Sequence, residues 1–118
     1  MRALIYGGRD FNKKDLAYRA LDQMNELYGF TAVISGMARG ADTLGYNWAF
    51  ERGIPILPFP ADWAKYKRAA GPIRNQQMID EGKPDVGIAF PGGTGTTDMT
   101  KRLHKHGVLV RTITPLGN

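Results

Sequence analysis

The sequence predicts an α/β fold, a Rossmann-like doubly wound domain with a five-stranded parallel sheet, and three observations carry that expectation. Short β-branched or apolar runs alternate with longer segments of helical period, the pattern of βαβ units. Unusual glycine-rich loops follow the apolar runs, where the loops at the carboxyl ends of parallel strands gather. With 118 residues, the chain can build one core but not two of ordinary size, so a single domain over 1–118 is expected.

The elements follow in order. Ala3–Tyr6 is the first strand. Asn12 is a suitable N-cap with Asp15 three residues on, and Leu16, Ala20, Met24 and Leu27 would form the apolar face of a helix stopped at Gly29. Thr31–Ser35 reads as the second strand. The second helix covers Ala41–Arg52, with Leu44, Trp48 and Ala49 on one face and Gly53 as its stop. Ile54–Leu57 is the third strand, placed at a sheet edge by Pro55, which cannot donate to a ladder. Phe59–Gly71 is the longest irregular connection, and long loops in compact domains are more often functional than idle. A third helix should start near Pro72 and end at Gly82. Asp85–Phe90 is the fourth strand, followed by the turn Pro91–Thr96. A fourth helix carries Met99 and Leu103 inward and ends at Gly107, before a fifth strand at Val108–Val110.

Composition narrows the class. A hydrophobic share of 42% with 23% charged residues describes an ordinary globule rather than a disordered or fibrous chain. Cysteine is absent, which excludes disulfides, thiolate metal sites and cysteine nucleophiles. No apolar run approaches the roughly 20 residues needed to cross a bilayer, and Met1–Gly7 is too short an apolar run for a signal peptide. No membrane association is expected, and the expected compartment is the cytoplasm. A net charge of +5 favours anionic partners without separating a small phosphate from a nucleic acid. The basic clusters Lys65, Lys67, Arg68 and Lys101, Arg102, Lys105 read as solvated surface.

The chemistry gathers at the strand ends. After the first strand come Gly7, Gly8 and Arg9. After the second, Gly36 and Gly40 permit close approach, Arg39 offers a forked guanidinium for phosphate or carboxylate, and Asp42 suits ribose hydroxyls or the helix dipole. After the third come Asp62 and Trp63, and Trp63 or Tyr66 would stack on a base or anchor the loop.

The strongest signal is Pro91-Gly92-Gly93-Thr94-Gly95-Thr96. Its glycines are read as free to take positive φ and to let a ligand approach, the following helix aims its first amides at an anion, and Thr94, Thr96 and Thr97 add hydroxyls. A tight turn with Thr96 as N-cap is the competing reading. Arg74 and Asn75 fall in the first turn of the third helix, placed to lean over the same pocket, with pairing of Arg74 to Asp80 or Glu81 as the alternative.

His104 and His106 stand two apart on a helix and face different directions, so they are no metal pair and serve the helix dipole. Ser35 is the only serine, and no nucleophile elbow surrounds it. No metal site or cofactor is expected.

Five segments in order resemble the SLOG superfamily, which includes DprA/Smf and the LOG phosphoribohydrolases, and most closely its small bacterial and phage branch called YspA or cpYpsA-related. They are Gly7–Phe11, Ser35–Asp42, Pro60–Trp63, Ala70–Asn75 and Phe90–Thr96. The resemblance implies a nucleotide or nucleotide-derived ligand whose phosphate sits on the glycine-threonine turn, and pairing of subunits into a homo-oligomer. It also implies a catalytic role for Arg74, since the hydrolases carry an arginine a similar distance before the turn. Those hydrolases have a glutamate three residues after the turn's last threonine. Here that residue is Met99, and Asp98 is the nearest acid, pointing about 100° away on a helix.

Losing the carboxylate favours binding over hydrolysis. The leading expectation is therefore a module that senses or sequesters a nucleoside phosphate or an ADP-ribose-like signal. Hydrolysis of a nucleoside 5′-monophosphate at its N-glycosidic bond, with Arg74 and Asp98 as catalytic residues, is the alternative. DprA-like nucleic-acid binding is the second alternative.

Overall fold

A computed structural model describes residues 1–114. Strand β1, Arg2–Tyr6, sets the two-layer plan by simple alternation: Ala3 and Ile5 join one apolar cluster and Leu4 and Tyr6 the other. Covered on both faces, such a strand is apolar through its centre, as β2 (Ala32–Ser35), which ends on the buried Ser35, and β4 (Val86–Ala89) also are. Strands β3 (Ile56–Pro58) and β5 (Leu109–Thr112) complete a parallel sheet in the order β3-β2-β1-β4-β5. This is the doubly wound arrangement expected from the sequence.

Helices α1 (Lys14–Tyr28) and α2 (Ala41–Glu51) cover the face carrying Ala3 and Ile5, with Ala17, Leu21, Trp48 and Ala49 buried there. On the other face α4 (Ala70–Gly82) and α5 (Thr94–Lys105) bury Met78, Ile79, Met99 and Leu103. Burying a large apolar side chain contributes about 1.5–3 kcal/mol, so Trp48, Leu21, Met99 and Leu103, all at 0–1% exposure, are principal anchors of the two layers.

Several sequence expectations are corrected at element ends. Asn12 does not cap α1. Lys13 is the N-cap residue, no side chain caps the helix, and the Asn12 carbonyl takes the Lys14 N–H at 3.0 Å. Leu27 is 65% exposed. The spacing 17, 21, 24, 28 turns Tyr28 inward, leaving Leu27 about 100° off that stripe. Strand β3 begins at Ile56 rather than at residue 54, because Pro55 only offers its carbonyl, to the Val33 N–H at 2.8 Å. The edge position itself holds.

The connection after β3 is less irregular than its sequence indicates. Asp62 caps a four-residue helix α3 (Trp63–Tyr66), its Oδ1 accepting the Lys65 N–H at 3.1 Å. A 3₁₀ turn, Lys67–Ala69, runs on into α4. Helix α4 therefore starts at Ala70, with Pro72 still inside the first turn, where its missing N–H costs nothing.

Candidate functional site

The strand order reverses its direction of growth between β1 and β4, and a doubly wound sheet opens a crevice at the carboxyl ends of the strands flanking that point. A cleft of about 640 Å³ lies there, lined by Tyr6 at the end of β1, by Gly7, Gly8 and Arg9 after it, and by Gly93, Thr94, Gly95 and Thr96 after β4. Asp42, Trp63, Arg74 and Asn75 close its other sides. Its volume is typical of small-molecule sites.

Gly8 ties the crevice together. Its N–H donates to the Pro91 carbonyl at 2.9 Å, and its own carbonyl accepts the N–H groups of Ala41 at 3.1 Å and Phe11 at 3.3 Å. A Cβ on Gly8 would stand 2.8 Å from the Pro91 oxygen and 2.9 Å from the Gly92 Cα. Gly40, at φ 81°, would drive a Cβ into the Gly8 carbonyl. The loops after β1, β2 and β4 thus share one backbone junction that only glycines allow. Gly40, Pro91 and Gly92 build that junction and do not line the cleft.

Helix α5 begins at Thr94, earlier than the sequence indicates, with Gly93 as N-cap and no side chain capping it. Thr96 is therefore not the cap. Nor do Gly92, Gly93 and Gly95 adopt positive φ, a correction to their sequence reading. Their contribution is space: a Cβ on Gly93 or Gly95 would meet no atom within 4 Å. The first amide to bond backward is that of Thr97, to the Gly93 carbonyl at 3.1 Å. Among the described residues, the N–H groups of Thr94, Gly95 and Thr96 have no acceptor, and they end at the cleft with the positive end of the helix dipole.

Arg74 faces them from α4. It is only 9% exposed. Its Nη1 donates to the Gly36 carbonyl at 2.5 Å and its Nε to Asn75 Oδ1 at 3.3 Å, while Nη2 has no partner among the described residues. It pairs with neither Asp80 nor Glu81; the charges acting on it are those of Asp42 and Arg9. Burial pushes the Arg74 guanidinium below its usual range, Asp42 opposes that shift and Arg9 adds to it; an arginine nonetheless stays protonated.

Asp42 sits beneath this arginine, 6% exposed. Burial raises its carboxyl to about 6, against the charge of Arg74, the Ala38 N–H at 3.4 Å and the charge of Arg9. Gly36 makes the approach possible, since a Cβ there would stand 2.7 Å from Arg74 Nη1 and 2.8 Å from Asp42 Oδ2.

Asp98 is held differently. Its Oδ2 accepts from Asn75 Nδ2 at 3.0 Å and from Arg102 Nε at 2.8 Å. Burial pushes this carboxyl up, yet the bonds from Arg102 and Asn75 with the charges of Arg102 and Lys101 outweigh it and leave the group below the usual carboxylate range. Asn75 also reaches the Gly95 carbonyl at 3.4 Å, so α4 braces the first turn of α5.

The remaining candidates divide. Trp63 lines the cleft, 46% exposed, with the Arg9 guanidinium 5.1 Å from its ring centroid. Asp62 is occupied as the cap of α3 and does not line the cleft. Gly36 and Arg39 line an adjoining depression instead, where Arg39 meets Asp10 at 3.4 Å on the surface.

Sequence reasoning missed Tyr6, Arg68 and Met78, all of which line the cleft. Met78 carried a signal, standing one helical turn after Arg74. Tyr6, the last residue of β1, carried one too; its hydroxyl pairs with Thr100 at 2.7 Å, and burial raises its pKa against that bond. Arg68 was indistinguishable from solvated surface charge. Among the described residues no three His, Asp or Glu side chains gather to hold a metal, and no helix is long and apolar enough to cross a membrane.

The model of the YspA, cpYpsA-related SLOG family (YAcAr) matches residues 1–66. The chain belongs to this family. The matched YAcAr segment holds β1, β2 and β3, the loops after β1 and β2, and the connection after β3 as far as Tyr66; α4 and α5 lie beyond it. The chain is also similar, at 33% identity over 117 residues, to the Gene 61 protein of Mycobacterium phage D29, covering 92% of this chain and 93% of that protein. That similarity extends over most of the length of this YAcAr member. No solved structure matches the chain.

Proposed function

We propose that the cleft binds a nucleotide or nucleotide-derived molecule through its phosphate and holds it without cleaving it, as a sensing or sequestering module. The observation that carries this reading is the meeting of two unsatisfied sets of donors in one cleft: the amides of Thr94, Gly95 and Thr96, and the free edge of the buried Arg74. A phosphate between them would receive charge-assisted hydrogen bonds, each worth about 1.5–3 kcal/mol. In this reading Thr94 and Thr96, which line the cleft, add their hydroxyls, Asp42 meets the ribose, and Trp63 stacks on a base for about 1–3 kcal/mol. Membership of the SLOG family supports a nucleotide-related ligand.

Hydrolysis is disfavoured by Asp98 and Met99. Asp98, the nearest acid to the first turn of α5, is tied to Asn75 and Arg102 and held ionised, which suits a brace and not a proton donor. Met99, buried at 1% exposure, offers no proton in its place. Incubation with a panel of nucleoside mono- and diphosphates, followed by chromatography, should show saturable binding with every nucleotide recovered intact. Recovery of free base would replace this reading with an N-glycosidic hydrolase. Binding of oligonucleotides alone, with a steep salt dependence, would replace it with a nucleic-acid module.

A further inference from the structure

A second depression of about 470 Å³ adjoins the cleft, and the two share a wall made by Arg9, Ala38, Trp63 and Arg74. Arg74 is buried, and Arg9 lies over the Trp63 ring, so the shared wall carries two guanidiniums facing both spaces. Arg39 lines only the second space and Arg68 only the first. Among the described lining residues the carboxylates are Asp42 and Asp98, both in the cleft, and Asp98 is already matched by Arg102. One phosphate at the first turn of α5 leaves the second space without an anion among its lining residues.

We infer that this depression is a second anion subsite, and that the natural ligand carries two anionic groups joined through a bridge that passes the Arg9–Trp63 wall. This rests on the nucleotide reading of the cleft and sharpens it to a class: a nucleotide bearing a second phosphate or equally charged group, in preference to a nucleoside monophosphate. Arg39 is suited to close on such a group. Its contact with Asp10 is 3.4 Å long between side chains 75% and 96% exposed, and exposed pairs of this kind hold a side chain weakly. Met37, at φ 62°, holds the loop in a left-handed turn on the same side, a conformation a non-glycine residue adopts only under the constraint of its surroundings.

The test measures affinity by calorimetry for matched pairs sharing one base: AMP with ADP-glucose, GMP with GDP-mannose, UMP with UDP-glucose. For the base that binds, the diphosphate sugar should bind at least about tenfold tighter than the monophosphate. Arg39→Glu, a surface change outside the cleft, should erase that advantage while leaving monophosphate affinity within about twofold. Equal affinities within the pair, or an advantage that survives Arg39→Glu, would overturn the second subsite and leave the cleft reading standing. Failure of every monophosphate and diphosphate sugar to bind would overturn the cleft reading, and the second subsite with it.

Discussion

The Arg74 guanidinium occupies the space beside Gly36 that a side chain would need: its Nη1 donates to the Gly36 carbonyl at 2.5 Å and would lie 2.7 Å from a Cβ built there. A glycine on β2's loop thus determines where an arginine on α4 can stand. Gly36→Ala should push Arg74 and Asp42 apart and destabilise the protein by about 1–3 kcal/mol, as overpacking in a close-packed site does. It should also weaken nucleotide binding. Urea denaturation paired with calorimetry checks both, and an unchanged affinity would detach Arg74 from the ligand.

Asp42 gives the protein a pH signature. Its carboxyl rises from 3.8 unfolded to about 6 folded, so between those values the native state holds a proton that the unfolded chain has released. Stability from this group is full below pH 4 and falls as pH rises to about 6, by about 3 kcal/mol in all. Asp42→Asn removes the titration. The stability of this variant relative to the native protein should climb from pH 4 to pH 6 and level off near pH 7, as read by urea denaturation at each pH. A difference flat across that range would contradict the burial assigned to Asp42.

Gly95→Ala should separate stability from function. The position is helical, its φ is not positive, and an added methyl meets nothing within 4 Å. Replacing glycine by alanine in a compatible helix position stabilises by about 0.4–1 kcal/mol. That methyl would stand in the cleft beside the free amides. The melting temperature should rise while nucleotide affinity drops, and a rise in both would place the phosphate elsewhere.

Asp98→Asn breaks the bridge from Arg102 and loosens Asn75. With the pair about one-third exposed, the expected loss is about 1 kcal/mol or less. The Asp98 share of stability is present above the ordinary carboxylate range and disappears as pH falls through the depressed folded value. Nucleotides should stay intact with both proteins. Base release by the native chain that vanishes in Asp98→Asn would make this residue catalytic.

The alternation of strands and helices was legible because the three central strands β1, β2 and β4 are mostly apolar on both faces and each major helix keeps an apolar stripe. The crevice followed from the same logic: Gly8, Thr94, Thr96, Arg74 and Trp63 all stand at carboxyl ends of strands or at the helix starts beside them. What could not be read was how each loop spends its polar groups. Nothing local says that Asp62 caps α3, that Gly8 gives both its backbone groups to neighbouring loops, or that Arg39 turns to Asp10 while the exposed Arg68 lines the cleft. Those outcomes depend on neighbours distant in sequence. The start of α4 was obscured because Pro72 marks a first turn without saying which of its positions it fills.

The most direct test is a nitrogen-15 NMR titration of the full chain with the nucleotide that binds in the panel. Saturable shifts should be largest at the amides of Thr94, Gly95 and Thr96 and at Arg74 Nε, with one common dissociation constant. Shifts that leave those four signals in place while moving others would contradict the account.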